Sequence, residues 1–176
     1  MTVKEMIAKY RIVLATQNGK EGLMIYGIDA AKRDNAIESI KSAKEEIKAY
    51  LKAEKDEMER KARDRSERID AIEGLKEIRD AINDLETWQY EFEKSFDDVG
   101  GLGVRPKPQY DIPGMKTRYP RAAAYLLAEE YSLKSNSELS AIGKKALDTV
   151  IYGDYSEAMT AMDKALKEFT DRHIWD

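Results

Sequence analysis

From Ile69 to Phe96 apolar residues recur at intervals of three and four: Ile69, Ile72, Leu75, Ile78, Ile82, Leu85, Trp88, Phe92 and Phe96. That spacing follows the 3.6-residue turn of an α-helix and lines these side chains up as one stripe. A half-buried strand would need alternation by two. Gly74 is the one weak point in the run, and it marks where a helical arm turns back. The same period appears before it, at Ile37, Ile40, Ala43, Ile47 and Leu51, and again after Pro120. The pattern predicts an all-α chain.

The N-terminus opens with Thr2-x-x-Glu5, a capping box that starts a helix carrying Met6, Ile7, Tyr10, Val13 and Leu14 on one face. Asn18-Gly19 is read as its stop, because both residues tolerate positive φ. The short apolar run LMIYGI, Leu23 to Ile28, fits a strand or a turn of buried helix; helix is expected, since no partner strand is visible. Asp29 is the expected cap of the next helix. Ser42 with Glu45 repeats the capping-box spacing inside the Ile37–Leu51 run, either as a break between two helices or by accident.

Residues 52–68 carry seven positive and six negative charges around a single large apolar side chain, Met58. Such a helix has no face to bury and is held by i,i+4 pairs in solvent. The alternation of sign cancels any field that would attract nucleic acid. The natural cover for the apolar 69–96 stripe is the Ile37–Leu51 face, packed antiparallel, with the charged stretch projecting as the arm of a helical hairpin. Three short amphipathic helices then follow Pro120 and suit a compact C-terminal lobe. The domain organisation expected is therefore an N-terminal helical segment, 1–42, a coiled-coil-like hairpin, 43–97, a Pro/Gly strap, 98–120, and the lobe, 121–176.

The strap holds all four prolines of the chain and four of its ten glycines. A loop of this length is normally functional or a linker. Its apolar residues, Val99, Leu102, Val104, Tyr110, Ile112, Met115 and Tyr119, argue for an ordered segment tied to the protein, and Pro106 and Pro108 impose extended geometry. Pro120 suits the first turn of the next helix. The strap also carries Arg105, Lys107, Lys116 and Arg118 against one internal acid, Asp111. With Tyr110 these are the candidate binding residues, for phosphate or an acidic partner. Trp175, near the C-terminus, either pins the last helix or lies in an interface.

Other chemistry has little to work with. Cysteine is absent, so disulfides and thiolate metal sites are excluded. His173 is the only histidine, which argues against a multi-histidine metal centre. Gly100 to Pro106 lacks the Gly-Lys-Ser/Thr of a phosphate loop. No catalytic residues, metal or cofactor are expected, and the chain is read as a non-enzyme. The net charge of −4 gives the whole molecule no pull toward nucleic acid, and no stretch is apolar enough for a signal peptide or a membrane span. A cytoplasmic protein that works by binding is expected. The arm and the aromatic stripe exceed what 176 residues easily bury, which is compatible with a homodimer.

Three stretches, DDVGGLGVRPKPQYD, YPRAAAYLLAEEYS and GKKALDTVIYGDYSEA through HIWD, together with the 69–98 region, resemble a family of small proteins encoded by phages and mobile elements of gut bacteria. The likeness covers roughly residues 69–176. These motifs are family markers and carry no chemistry. The resemblance implies a phage-type inhibitor of host defence. By size and host range it points to an anti-CRISPR protein that blocks the Cas9 ribonucleoprotein by occlusion. The alternative is a coiled-coil assembly protein of a phage or mobile element.

Overall fold

The computed structural model describes residues 1–17, 19–97 and 105–173. The chain is 75% helical, with nine helices and one two-stranded sheet among these residues. It divides into two units, Met1–Asp64 and Arg65–Asp176. No helix among the described residues is long and apolar enough to cross a membrane.

The first unit corrects the all-α expectation. Helix α1, Val3–Tyr10, starts as predicted: Glu5 N–H donates to Thr2 Oγ1 at 3.3 Å and Thr2 N–H to Glu5 Oε2 at 2.7 Å. It stops eight residues before Gly19, at Arg11, whose backbone is left-handed with φ 48°. Val13 and Leu14 therefore belong to strand β1, Ile12–Gln17, and Leu23 to β2, Lys20–Ile25. The strands are antiparallel, and the register runs from Ile12 opposite Ile25 to Gln17 opposite Lys20. Two residues connect them, and Gly19 has φ 73°. An Asn-Gly pair between two apolar runs is the strongest short hairpin signal; it closes a hairpin here instead of ending a helix. Asn18 itself lies outside the described residues.

After the hairpin come α2, Ile28–Arg33, α3, Ile37–Ser42, and α4, Lys44–Asp70. Asp29 does not cap α2; the cap position is Gly27, and Asp29 sits in the first turn. The chain does break after Ser42, but not by a capping box: the Ser42 hydroxyl donates back to Glu38 O at 2.9 Å. Tyr10, Ile12, Ala31, Ala36, Ile40 and Ile47 form this unit's core, with Leu23, Ile25, Ile37 and Leu51 packed on it. Burying each isoleucine contributes about 1.5–3 kcal/mol. The Ile37–Leu51 face is thus covered within its own unit, by α1, the hairpin and α2.

In the second unit α4 ends at Asp70 and α5, Leu75–Asp97, begins after a tight turn at Gly74, φ 74°. Helix α6, Ile112–Arg118, follows the extended 105–111 segment, so the last part of the strap is helical. Asp111 caps it, accepting from Gly114 N–H at 3.0 Å. Then come α7, Pro120–Ser132, α8, Ser137–Tyr152, and α9, Tyr155–His173. Pro120 opens α7 as expected. Asp154 caps α9, accepting from Ser156 N–H at 2.7 Å.

Ile72, Leu75 and Ile78 pack with Ala122, Tyr125, Val150, Ile151 and Ala158, while Ala128, Ala146 and Met162 extend the core between α7, α8 and α9. The apolar side of the first half of α5, Leu75 to Ile82, is therefore covered by the lobe that follows it. Arg121, at the start of α7, donates to Val150 O at 2.8 Å and Ile151 O at 3.1 Å, satisfying carbonyls that the end of α8 leaves without helical partners.

Candidate functional site

The far half of α5 continues past the core, and its stripe changes character there. Asp84, Trp88 and Glu91 are four and three residues apart and share one face, with Leu85 and Phe92 beside them. Trp88 and Phe92 stack at 5.0 Å between ring centroids, with planes 19° apart. Such a pair contributes about 0.5–1.5 kcal/mol beyond its burial.

The strap is fastened to this face. Trp88 Nε1–H donates to Arg105 O at 2.8 Å. The Arg105 guanidinium donates from Nη1 to Asp84 Oδ1 at 2.7 Å, from Nη2 to Asp84 O at 3.3 Å and from Nε to Glu91 Oε2 at 3.2 Å. Tyr110 completes the clasp, donating its hydroxyl to Asp84 Oδ2 at 3.0 Å. Each oxygen of the Asp84 carboxylate thus holds one end of the 105–110 segment. Arg105, then Tyr110, hold the Asp84 carboxyl below the usual carboxylate range. The hydrogen bond to Asp84 raises the Tyr110 phenol, because that bond exists only while the phenol keeps its proton.

Between α5 and residues 107–111 lies an open groove of about 1040 Å³. Its walls are Leu85, Trp88 and Phe92 on one side and Pro108 and Tyr110 on the other. The Lys107 ammonium stands 5.5 Å from the Trp88 ring centroid. Phe92 and Tyr110 are 39% and 43% exposed, so aromatic surface is open to a visitor. The polar rim is acidic on balance. Glu93 and Asp111 line it against Lys107, and the Asp84 carboxylate that holds the Tyr110 wall is itself paired with Arg105. The groove suits an apolar or cationic side chain; a phosphate would meet the acids.

Of the residues singled out in the sequence, Arg105, Lys107 and Tyr110 come together here. Lys116 is exposed on α6, where it borders two clefts along α7, one with Ile82, Glu86 and Leu127 and one with Tyr155 and Met159. Arg118 is exposed, with its guanidinium 6.0 Å from the Tyr119 ring centroid. Trp175 lies outside the described residues, as do Val99, Leu102 and Val104 of the strap. Asp84 and Glu91 were not anticipated. Their signal is the mixing of acids into an aromatic stripe seven residues apart.

Among the described residues no group of three or more histidine, aspartate or glutamate side chains is placed to hold a metal ion. No protein-family profile, curated protein or solved structure matches the chain.

Proposed function

We propose that the protein acts by binding a basic protein surface, as a stoichiometric inhibitor of host defence, with the Cas9 ribonucleoprotein as the target to test first. One observation carries the reading: the acid-rimmed aromatic groove between α5 and the strap. It concentrates Trp, Tyr and Phe, the types that dominate binding energy at interfaces. The arginine that would have made the strap attractive to phosphate is already neutralised by Asp84 and Glu91.

Residues 52–64 of α4 add a second supporting feature. Apart from a half-buried Glu57 they are exposed, and Met58 is 65% exposed. Ion pairs such as Glu57 with Arg60 at 2.7 Å and with Lys61 at 3.3 Å hold this stretch as helix without using it as core. A charge-rich rod of this kind offers a shape that occludes a nucleic-acid channel. The choice of target follows from the resemblance of residues 69–176 to phage and mobile-element proteins.

The test is a titration of the protein into a DNA-cleavage assay of the guide-loaded nuclease. Inhibition is expected at near-equimolar protein and is expected to weaken at least tenfold in Glu93→Lys, which reverses one charge on the groove rim. Unchanged cleavage at large excess rejects this target. Full inhibition by Glu93→Lys rejects the groove.

A further inference from the structure

The β1–β2 hairpin has two faces of opposite character. Ile12, Leu23 and Ile25 turn into the first unit's core. The register then assigns the other face: Val13 opposite Met24, Ala15 opposite Gly22, and Gln17 opposite Lys20. Tyr26 N–H donates to Arg11 O at 3.2 Å, which continues the ladder by one pair and sets Tyr26 beside Met24 on this outer face. Val13, Met24 and Tyr26 are 37%, 47% and 66% exposed. Val13 and Met24 are direct cross-strand partners and Tyr26 follows Met24 by two residues, so the three form a patch, unlike the lone Met58 of α4.

The charge on this face has one sign. Lys20 stands on this face at the turn end, and Arg11, the left-handed residue just before β1, adjoins its Tyr26 end; both are exposed. The one hairpin acid, Glu21, is opposite Thr16 and so belongs to the inner set. On a chain of net charge −4 the outer face is therefore apolar in the middle, with the cation Lys20 at its turn end and Arg11 adjoining the other end. From Arg11 to Lys20 the face spans six residues of strand, roughly 20 Å. One helix of about 13 residues covers that length. Two strands, about 5 Å apart, give a platform wide enough for one helix.

We propose that the outer face of the hairpin docks an acidic amphipathic helix of a partner protein, with apolar residues over Val13, Met24 and Tyr26 and carboxylates toward Arg11 and Lys20. Charge complementarity selects the occupant. A helix there would complete the layering of the unit, whose sheet is covered on one face only. Single-stranded nucleic acid fits less well, because Tyr26 is the only ring on the face and two cations neutralise few phosphates. The docking is independent of what the groove on α5 binds.

The test uses the full chain and three fluorescent probes: a 14-residue amphipathic helix with Leu on one face and Glu at both ends, its counterpart with Lys for Glu, and a dT20 oligonucleotide. Fluorescence anisotropy is expected to show the Glu peptide binding at least tenfold more tightly than the Lys peptide, with dT20 weaker than both. Met24→Glu is expected to weaken the Glu peptide at least tenfold. Lys20→Glu, at an exposed position next to the turn, leaves the core untouched and is expected to narrow or reverse the preference between the peptides. No binding of the Glu peptide, equal binding of both peptides, or preferred binding of dT20 overturns the proposal. Self-association in light scattering that Met24→Glu abolishes overturns it too, assigning the face to a second copy of the chain.

Discussion

Asp84 and Arg105 are 21 residues apart in sequence, yet the carboxylate of one meets the guanidinium of the other at 2.7 Å. The pair joins the middle of a long helix to a segment with no helical bonds of its own. Around it, Trp88 holds the Arg105 carbonyl and Tyr110 holds the second carboxylate oxygen. The geometry of the groove depends on this clasp, because it decides how far Pro108 and Tyr110 stand from Trp88 and Phe92.

Asp84→Asn keeps the size of the side chain and removes its charge. The amide can still accept from one donor, but the charge-assisted bond to Arg105 is lost. Both partners are partly exposed, so global stability is expected to change little. The effect is expected locally, as at least tenfold faster hydrogen exchange of the Trp88 indole N–H, which donates to Arg105 O, with exchange in α8 unaltered. Unchanged indole exchange means that Glu91 and packing hold the strap without Asp84.

The same clasp sets a pH window. The folded-state pKa of Asp84 is depressed, so its contribution is present above the ordinary carboxylate value of 3.8 and is lost as pH falls through the lower folded value. Tyr110 has the opposite sign. Its folded-state pKa is raised, so its contribution is complete below the ordinary phenol value of 10.0 and is lost as pH rises through the higher folded value. Exchange protection of the Trp88 indole N–H is therefore expected to be flat through neutral pH and to fall at both extremes. Tyr110→Phe removes the alkaline limb and reduces the acid one, and Asp84→Asn removes the acid limb and reduces the alkaline one, because each group contributes to the other's shift. A protection profile that changes between pH 5 and 9 would contradict this assignment.

Helices α5, α7, α8 and α9 were legible because each repeats its apolar residues at 3.6 over two turns or more, and Gly74 announced the turn before Leu75; the seven-residue α6, with Pro113 and Gly114 inside it, was read as strap. What the α5 face packs against was not legible. Periodicity says which side of a helix is buried and leaves its cover unnamed, so the Ile37–Leu51 face looked like a suitable partner although α1 and the hairpin already cover it. The hairpin was missed for a different reason. Its inner residues Ile12, Leu14, Leu23 and Ile25 alternate with Val13 and Met24, which are apolar as well, so the period of two is hidden. Asn18-Gly19 was the remaining clue, and it serves as a helix stop as readily as a turn. At the groove, the basic residues of the strap were visible, but the acids that neutralise Arg105 lie on a helix read for its aromatic stripe.

Arg121 provides a test of how the lobe is closed. Its guanidinium donates to Val150 O from two nitrogens, at 3.1 Å and 2.8 Å, and to Ile151 O. Val150 and Ile151 are core residues at the end of α8, where the helix leaves negative carbonyl ends exposed. Arg121→Met keeps the aliphatic stem and removes the donors. The loss expected is about 1–3 kcal/mol, the cost of charged hydrogen bonds to carbonyls left unsatisfied. Chemical denaturation monitored by circular dichroism measures it. Arg121→Lys restores the charge but not the fork and is expected to recover only part of the loss.

Gly143 lies in the middle of α8, buried, where α8 passes the end of α7. A methyl added there would overlap Ser132 N, Ser132 Cα and the Tyr131 carbonyl carbon, all of them backbone. Nearby, the Ser140 hydroxyl donates to Ser132 O at 2.7 Å and fixes the same approach. Two effects compete in Gly143→Ala. Helix propensity favours alanine by about 1 kcal/mol. Overpacking against backbone, which cannot rotate away as a side chain can, costs about 1–3 kcal/mol or more. The second is expected to win, because relief requires α7 and α8 to separate along the contact that holds Ala128, Ala146 and Met162 together. A lower thermal midpoint is the expected result, with Gly143→Ser at least as destabilised. A raised midpoint in Gly143→Ala would mean that the two helices stand further apart than described and that glycine is used here for some reason other than close approach.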